Sequence, residues 1–174
     1  MNIAVLADIH GRLPLAFTVV ARLEEETGEM VDAIVQCGDV GVFPRPETAD
    51  KATRRHAERD SSELGFSRYF LRPVAGVEAV LDRLGCSMYC VRGNHEDHAF
   101  LDHLEASSDG PFFPGDCYRR VLVMRSGVPF RLPGAAADGL FARDAKGAPQ
   151  VFDRETQATR SAYDVEARPQ LSGE

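Results

Sequence analysis

Three short apolar segments of this chain each end at a polar cluster, and this repeated pattern constrains the fold more than any other feature of the sequence. The segments are residues 2–7, 31–37 and 87–92, and all three are rich in residues that favour β-strands. Between them, apolar residues recur at helical spacing over residues 14–26 and 77–84. This order of strands and helices predicts an α/β fold with a parallel or mixed sheet and flanking helices.

The polar clusters follow the three predicted strands directly. They are Asp8 with His10, Gly38-Asp39, and Gly93-Asn94-His95-Glu96. Because the carboxyl ends of parallel strands meet at one edge of a sheet, and ligands of open α/β sheets bind at that edge, we expect the clusters to lie side by side. Their order and spacing favour a functional site over three unrelated structural turns.

These side chains are suited to hydrolysis with divalent metal ions. Two ions about 3.5–4 Å apart lower the pKa of a bridging water and clamp a phosphate ester. Asp8 and His10 can face one ion, and Asp39 can bridge it to a second ion that Asn94 also contacts. Nitrogen and oxygen ligands without thiolate suit manganese, iron or zinc better than calcium. His95 would then face the phosphate and protonate the leaving group as a catalytic acid.

The polar insertion over residues 40–70 predicts a short helix with a basic stripe, since Lys51, Arg55 and Arg59 recur at every fourth residue. One alternative is a solvated helix face. The other is a substrate-binding surface, for which Arg54 and Arg55 are the candidate phosphate contacts.

The remaining histidines and the glutamate of the third cluster have weaker patterns. We interpret His56 in the basic stripe, and His98 and His103 on a predicted short helix, as helix-surface residues. Glu96 is expected to orient His95, to hold its loop, or to be a simple surface carboxylate.

The last part of the chain is the least regular. Residues 111–116 predict a turn, and residues 119–124 and 128–132 predict a hairpin of two strands. Apolar periodicity then fails, so we expect a partial domain over residues 1–132 and a poorly ordered, mobile tail over residues 133–174. Such an incomplete fold would leave a sheet edge uncovered and open to self-association.

Charge and hydropathy exclude two classes of protein. The formal net charge of −7 argues against a broad nucleic-acid-binding surface, which needs clustered Lys and Arg. No apolar run approaches the roughly 20 residues that cross a bilayer, and no secretory signal pattern begins the sequence, so we expect a cytoplasmic protein without a membrane partner.

The motifs Asp8-Ile9-His10, Gly38-Asp39 and Gly93-Asn94-His95-Glu96 resemble the first three motifs of the calcineurin-like metallophosphoesterases. That resemblance covers about residues 1–132. It implies paired sheets flanked by helices, a phosphate-ester substrate and a dinuclear metal site with the ligand roles assigned above. The polar insertion is also similar to that of RNA lariat debranching enzymes, although those enzymes carry Cys at the position of Asp8.

The later motifs of that family contribute three further histidines to the metals, whereas no histidine follows His103 in this sequence. Three hypotheses therefore stay open. The chain is an active metallophosphoesterase that uses two ions or retains only one, a truncated and catalytically impaired relative, or a non-enzymatic adaptor on the same fold.

Overall fold

The main element of the fold is a five-stranded sheet. The computed structural model describes residues 1–128, 132, 141–143, 149–153 and 158–161. The strands of the sheet are β1 (Ile3–Leu6), β2 (Ala33–Gln36), β3 (Met88–Cys90), β4 (Phe112–Pro114) and β5 (Val121–Met124). In the order β1-β2-β3-β5-β4, the first four are parallel and β4 is antiparallel to β5. The predicted α/β class and mixed sheet are confirmed.

Helices connect and flank these strands. They are α1 (Leu13–Thr27), α2 (Lys51–Ala57), α3 (Gly65–Tyr69), α4 (Ala75–Leu84) and α5 (His98–Ala106), with single 3-10 turns at Pro46–Thr48 and Ser61–Leu64. The long helix α1 has Pro14 in its first turn and ends at Gly28, whose φ of 72° is the left-handed conformation that glycine adopts at helix ends. Among the described residues, no helix is both long enough and apolar enough to span a bilayer.

One face of the sheet and the helices α1 and α4 form the main core. Fully buried side chains include Ile34 and Met88 from the sheet, Phe17 from α1 and Leu81 from α4. The ring of Phe17 also stacks on Phe70 at 6.0 Å between centroids. Replacing a buried aromatic of this kind with alanine typically costs about 3–5 kcal/mol, so this packing contributes substantially to the stability of the core.

Strand β1 is at the edge of the sheet and differs from the buried strand that the sequence predicted. Its residues Ile3 and Val5 are 44% and 66% exposed. Ile3 and Val5 occupy the face opposite the main core, whereas Ala4 and Leu6 pack against that core. Apolar composition alone overestimated the burial of β1 because it does not show that one face of the strand is exposed. Self-association through this edge stays a prediction.

Two predictions near residue 120 are wrong. Residues 112–114 of the predicted turn form strand β4, which pairs with β5. Strand β5 already has β3 and β4 on its two sides, so it has no free edge for a hairpin with residues 128–132. Residues 129–131 lie outside the described residues.

A second sheet lies within the segment that we expected to lack regular structure. Its strands β6 (Phe141–Arg143), β7 (Pro149–Asp153) and β8 (Ala158–Ser161) pair antiparallel in that order. The sequence did not predict these strands because each has only three to five residues, too few for a periodic pattern to be visible. The predicted division of the chain at residue 132 stays a prediction.

Candidate metal centre

The loops after β1 and β2 are joined by backbone hydrogen bonds that continue the parallel pairing. The amide of Asp8 donates to the carbonyl oxygen of Gly38 (3.2 Å), and that of His10 donates to Asp39 (3.0 Å). One residue later, the amide of Gly11 donates to the carbonyl of Val40. The first two predicted clusters are thereby held next to each other.

Three of the predicted metal ligands have left-handed backbone conformations. The φ angles of Asp8, His10 and Asp39 are 51°, 43° and 56°. Such angles are uncommon for residues other than glycine and are enriched at functional sites, where the surrounding structure holds them. Here the hydrogen bonds between the two loops hold them.

Asp8, His10 and Asp39 can share one metal ion. One ligand atom from each lies within 4.8 Å of the other two, and Nε2 of His10 is 4.0 Å from Oδ1 of Asp8. Ligands on one ion with bonds of about 2.0–2.2 Å lie within roughly 4.4 Å of one another. The three side chains would therefore need to move only slightly closer together to bind one ion. Two carboxylates and an imidazole fit manganese, iron or zinc.

Asp39 also holds the third cluster in place. Its Oδ1 accepts hydrogen bonds from the amides of Asn94 (2.7 Å) and His95 (3.1 Å). Gly93 makes this approach possible, because a Cβ at that position would lie 1.9 Å from the same oxygen. The side chain of Asn94 is exposed beside Asp39, and its role as a ligand of a second ion stays a prediction.

His95 is paired with a carboxylate that the sequence did not reveal. Its Nδ1 lies 2.9 Å from Oδ2 of Asp50, and its ring is 5.1 Å from the ring of His10. The hydrogen bond to Asp50 raises the pKa of His95 above its ordinary value. Although burial acts in the opposite direction, hydrogen bonds from His95 and Thr53 hold the pKa of Asp50 well below its usual range.

Asp50 was missed because it has an ordinary local role as well. It is the N-cap of α2, where its Oδ1 accepts hydrogen bonds from the amides of Ala52 (2.7 Å) and Thr53 (3.0 Å). A single Asp before a helix is read as a cap. The only sequence signal for a second role would have been its position in a long polar insertion.

Glu96 holds its neighbouring loop and does not orient His95. It is 6% exposed, and its carboxylate accepts hydrogen bonds from the amides of Val40 (2.8 Å), Gly41 (3.1 Å) and Val42 (2.7 Å). Burial raises the pKa of Glu96 to about 7, against the opposing effect of the amides of Val42 and Val40. The loop-holding alternative is confirmed, and the surface-carboxylate alternative is wrong.

The insertion is packed directly on the first loop. The guanidinium of Arg12 contacts Asp60 (2.9 Å) and the buried Glu63 (3.0 Å). A Cβ on Gly11 would lie 1.9 Å from the carbonyl oxygen of Glu63, and one on Gly65 would lie 2.3 Å from that of Gly11. The insertion is therefore a wall of the site and not a separate appendage.

A cavity of about 160 Å³ separates this wall from the metal centre, and its lining residues are His10, Ala52, Thr53, His56, Glu63 and His95. His56 is exposed, as expected for a helix-surface residue, yet it faces the site. The described lining residues do not include Arg54 or Arg55. Arg54 lines a separate groove with Pro46 and Leu64, and substrate binding by these two arginines stays a prediction.

Comparison with known proteins agrees with this geometry. The sequence model of the calcineurin-like phosphoesterases matches residues 1–143, which extends beyond the 132 residues of the predicted resemblance. None of the curated proteins compared with the chain matches it. The narrower similarity to lariat debranching enzymes stays a prediction. Because the match spans most of the 174 residues and contains all three motifs, the chain belongs to the calcineurin-like phosphoesterase family.

Proposed function

We propose that this protein hydrolyses phosphate mono- or diesters through a dinuclear metal site. The observation that carries the proposal is the convergence of Asp8, His10 and Asp39, whose ligand atoms lie within 4.8 Å of one another, beside the His95–Asp50 pair. Family membership supports a metal-dependent phosphoesterase. The geometry supports the assignment of roles to individual residues.

Asp8, His10 and Asp39 would hold the first ion, and Asp39 and Asn94 would hold the second. When bound, such ions supply an activated water and neutralise the charge of the phosphoryl oxygens. Manganese, iron and zinc are the candidates, since the donor set contains carboxylate, imidazole and amide groups.

His95 is the proposed catalytic acid. Its Nδ1 is held by Asp50, which directs the opposite nitrogen, Nε2, to act on the substrate. The carboxylate of Asp50 favours the imidazolium form, which carries the proton that a leaving alkoxide needs. Asp50 is thus a positioning residue that acts through His95.

Metal analysis combined with turnover tests this proposal. The purified protein would be assayed with manganese on an aryl phosphodiester and an aryl phosphomonoester, as wild type and as His95→Ala. The exposed His103 of α5 provides the matched control His103→Ala. We expect manganese-dependent turnover that falls about 100-fold or more in His95→Ala, the scale of a lost general acid, and is unchanged in His103→Ala.

The alternatives give different results in the same experiment. Stoichiometric metal without turnover would support a catalytically impaired relative. A protein that binds no metal would refute the proposal and favour the non-enzymatic adaptor. Equal turnover of wild type and His95→Ala would refute the acid role.

A further inference from the structure

Helix α2 is tied to the metal centre at its N-cap and presents one face to the cavity beside it. The hydrogen bond from Asp50 to His95 joins the start of the helix to the site. Ala52 and Thr53 lie four and three residues before His56, so each shares a helix face with His56. All three line the cavity, and the orientation of His56 toward the site follows from the helix geometry.

The size of the cavity limits what can enter it. Its volume of about 160 Å³ is roughly half that of the smallest pockets that hold drug-sized ligands, about 300 Å³. There is room for a phosphoryl group and a few atoms of its alcohol. The bulk of a larger ester must therefore remain outside the cavity.

The chemistry of the wall suits an anion. His10 and His95 form one side, and His56 faces them from α2. The carboxylate of Glu63 also lines the cavity and pairs with the guanidinium of Arg12 at 3.0 Å, which it shares with Asp60. The hydroxyl of Thr53 already donates to Asp50 at 2.8 Å. His56 is therefore the residue on this face of α2 whose side chain has an N–H to offer to a ligand.

We infer that His56 is a substrate-binding residue that donates a hydrogen bond to a non-bridging oxygen of the phosphoryl group. Either the neutral or the charged imidazole provides the required N–H. The contact comes from the insertion, opposite the three family motifs, so the phosphate would be held from two sides. This inference rests on the proposed function, because the phosphate reaches the cavity only if the metal centre binds it.

Phosphate binding to the metal-loaded protein tests the contact without relying on turnover. Inorganic phosphate would be titrated by isothermal calorimetry into protein loaded with manganese and freed of excess ion. The variants are His56→Ala, His56→Gln, whose amide keeps a donor, and the control His103→Ala. Manganese affinity would be measured for each variant in parallel.

We expect His56→Ala to bind phosphate roughly 10- to 100-fold more weakly, the range for loss of a hydrogen bond to a charged group. His56→Gln should recover part of that loss, and manganese affinity should match wild type in all variants. Unchanged phosphate affinity in His56→Ala with normal metal binding would overturn this inference alone. A wild-type protein that binds manganese but no phosphate would also overturn it, whereas failure to bind manganese would overturn the proposed function as well.

Discussion

Substitution of Gly41 tests how closely the loops after β1 and β2 are packed. A Cβ at this position would lie 2.2 Å from the backbone nitrogen of Gly11 and 2.7 Å from the carbonyl carbon of His10. Backbone atoms cannot move aside by changing a rotamer, so Gly41→Ala must push the two loops apart. The φ of Gly41 is 81°, which adds the cost of a left-handed alanine.

Gly28 provides a matched control at the end of α1. Its φ is 72°, and a Cβ there would have nothing within 4 Å. Gly28→Ala should therefore cost only the left-handed conformation, about 1–2 kcal/mol. Gly41→Ala adds crowding of about 1–3 kcal/mol, giving roughly 2–5 kcal/mol in total. At about 2–4 °C per kcal/mol for a chain of this size, Tm should fall by roughly 4–20 °C.

Urea unfolding in the presence of a chelator would measure both variants without the contribution of metal. Manganese affinity would then be measured by calorimetry. We expect at least a roughly 10-fold loss in Gly41→Ala, by analogy with lost support of a metal ligand, because His10 moves with the loop, and none in Gly28→Ala. Equal losses of stability in the two variants would refute the close packing of the loops.

Three further predictions concern the same site. In metal-free protein, Asp50→Asn should lower the pKa of His95 toward its ordinary value of 6.5, as followed by proton NMR; an unchanged pKa would contradict the pairing. Because Asp50 raises that pKa, its stabilising effect through His95 should be complete below pH 6.5 and disappear as pH rises through the folded value. Saturating manganese at about 100 times its Kd should stabilise the protein by about 2.7 kcal/mol, and thermal unfolding should show no such gain for Asp39→Ala. Arg12→Gln should cost about 1–3 kcal/mol in urea unfolding, since it leaves the buried carboxylate of Glu63 without its cation; wild-type stability would argue against that ion pair.

Local patterns were sufficient for the parts of the site that lie at strand ends. Asp8, His10 and Asp39 were predicted to converge because parallel strands bring their carboxyl ends to one edge, and their ligand atoms do lie together. The burial of β1 was mispredicted because composition does not tell whether one or both faces of a strand are covered. The pairing of β5 with β4 was missed because local patterns do not show which strands pair with each other.

By itself, the sequence determined the family, the alternation of the first three strands with the helices α1 and α4, and the three motifs, since each depends on residues close together in the chain. Only the tertiary structure decided which groups support those motifs. Asp50 reaches His95 across 45 residues, and Glu96 holds the amide of Val40 across 56. It also decided that His56, and neither Arg54 nor Arg55, faces the cavity with His95. Such contacts depend on how the insertion folds back on the sheet. Hydrophobic periodicity carries no information about contacts between residues so far apart in the chain.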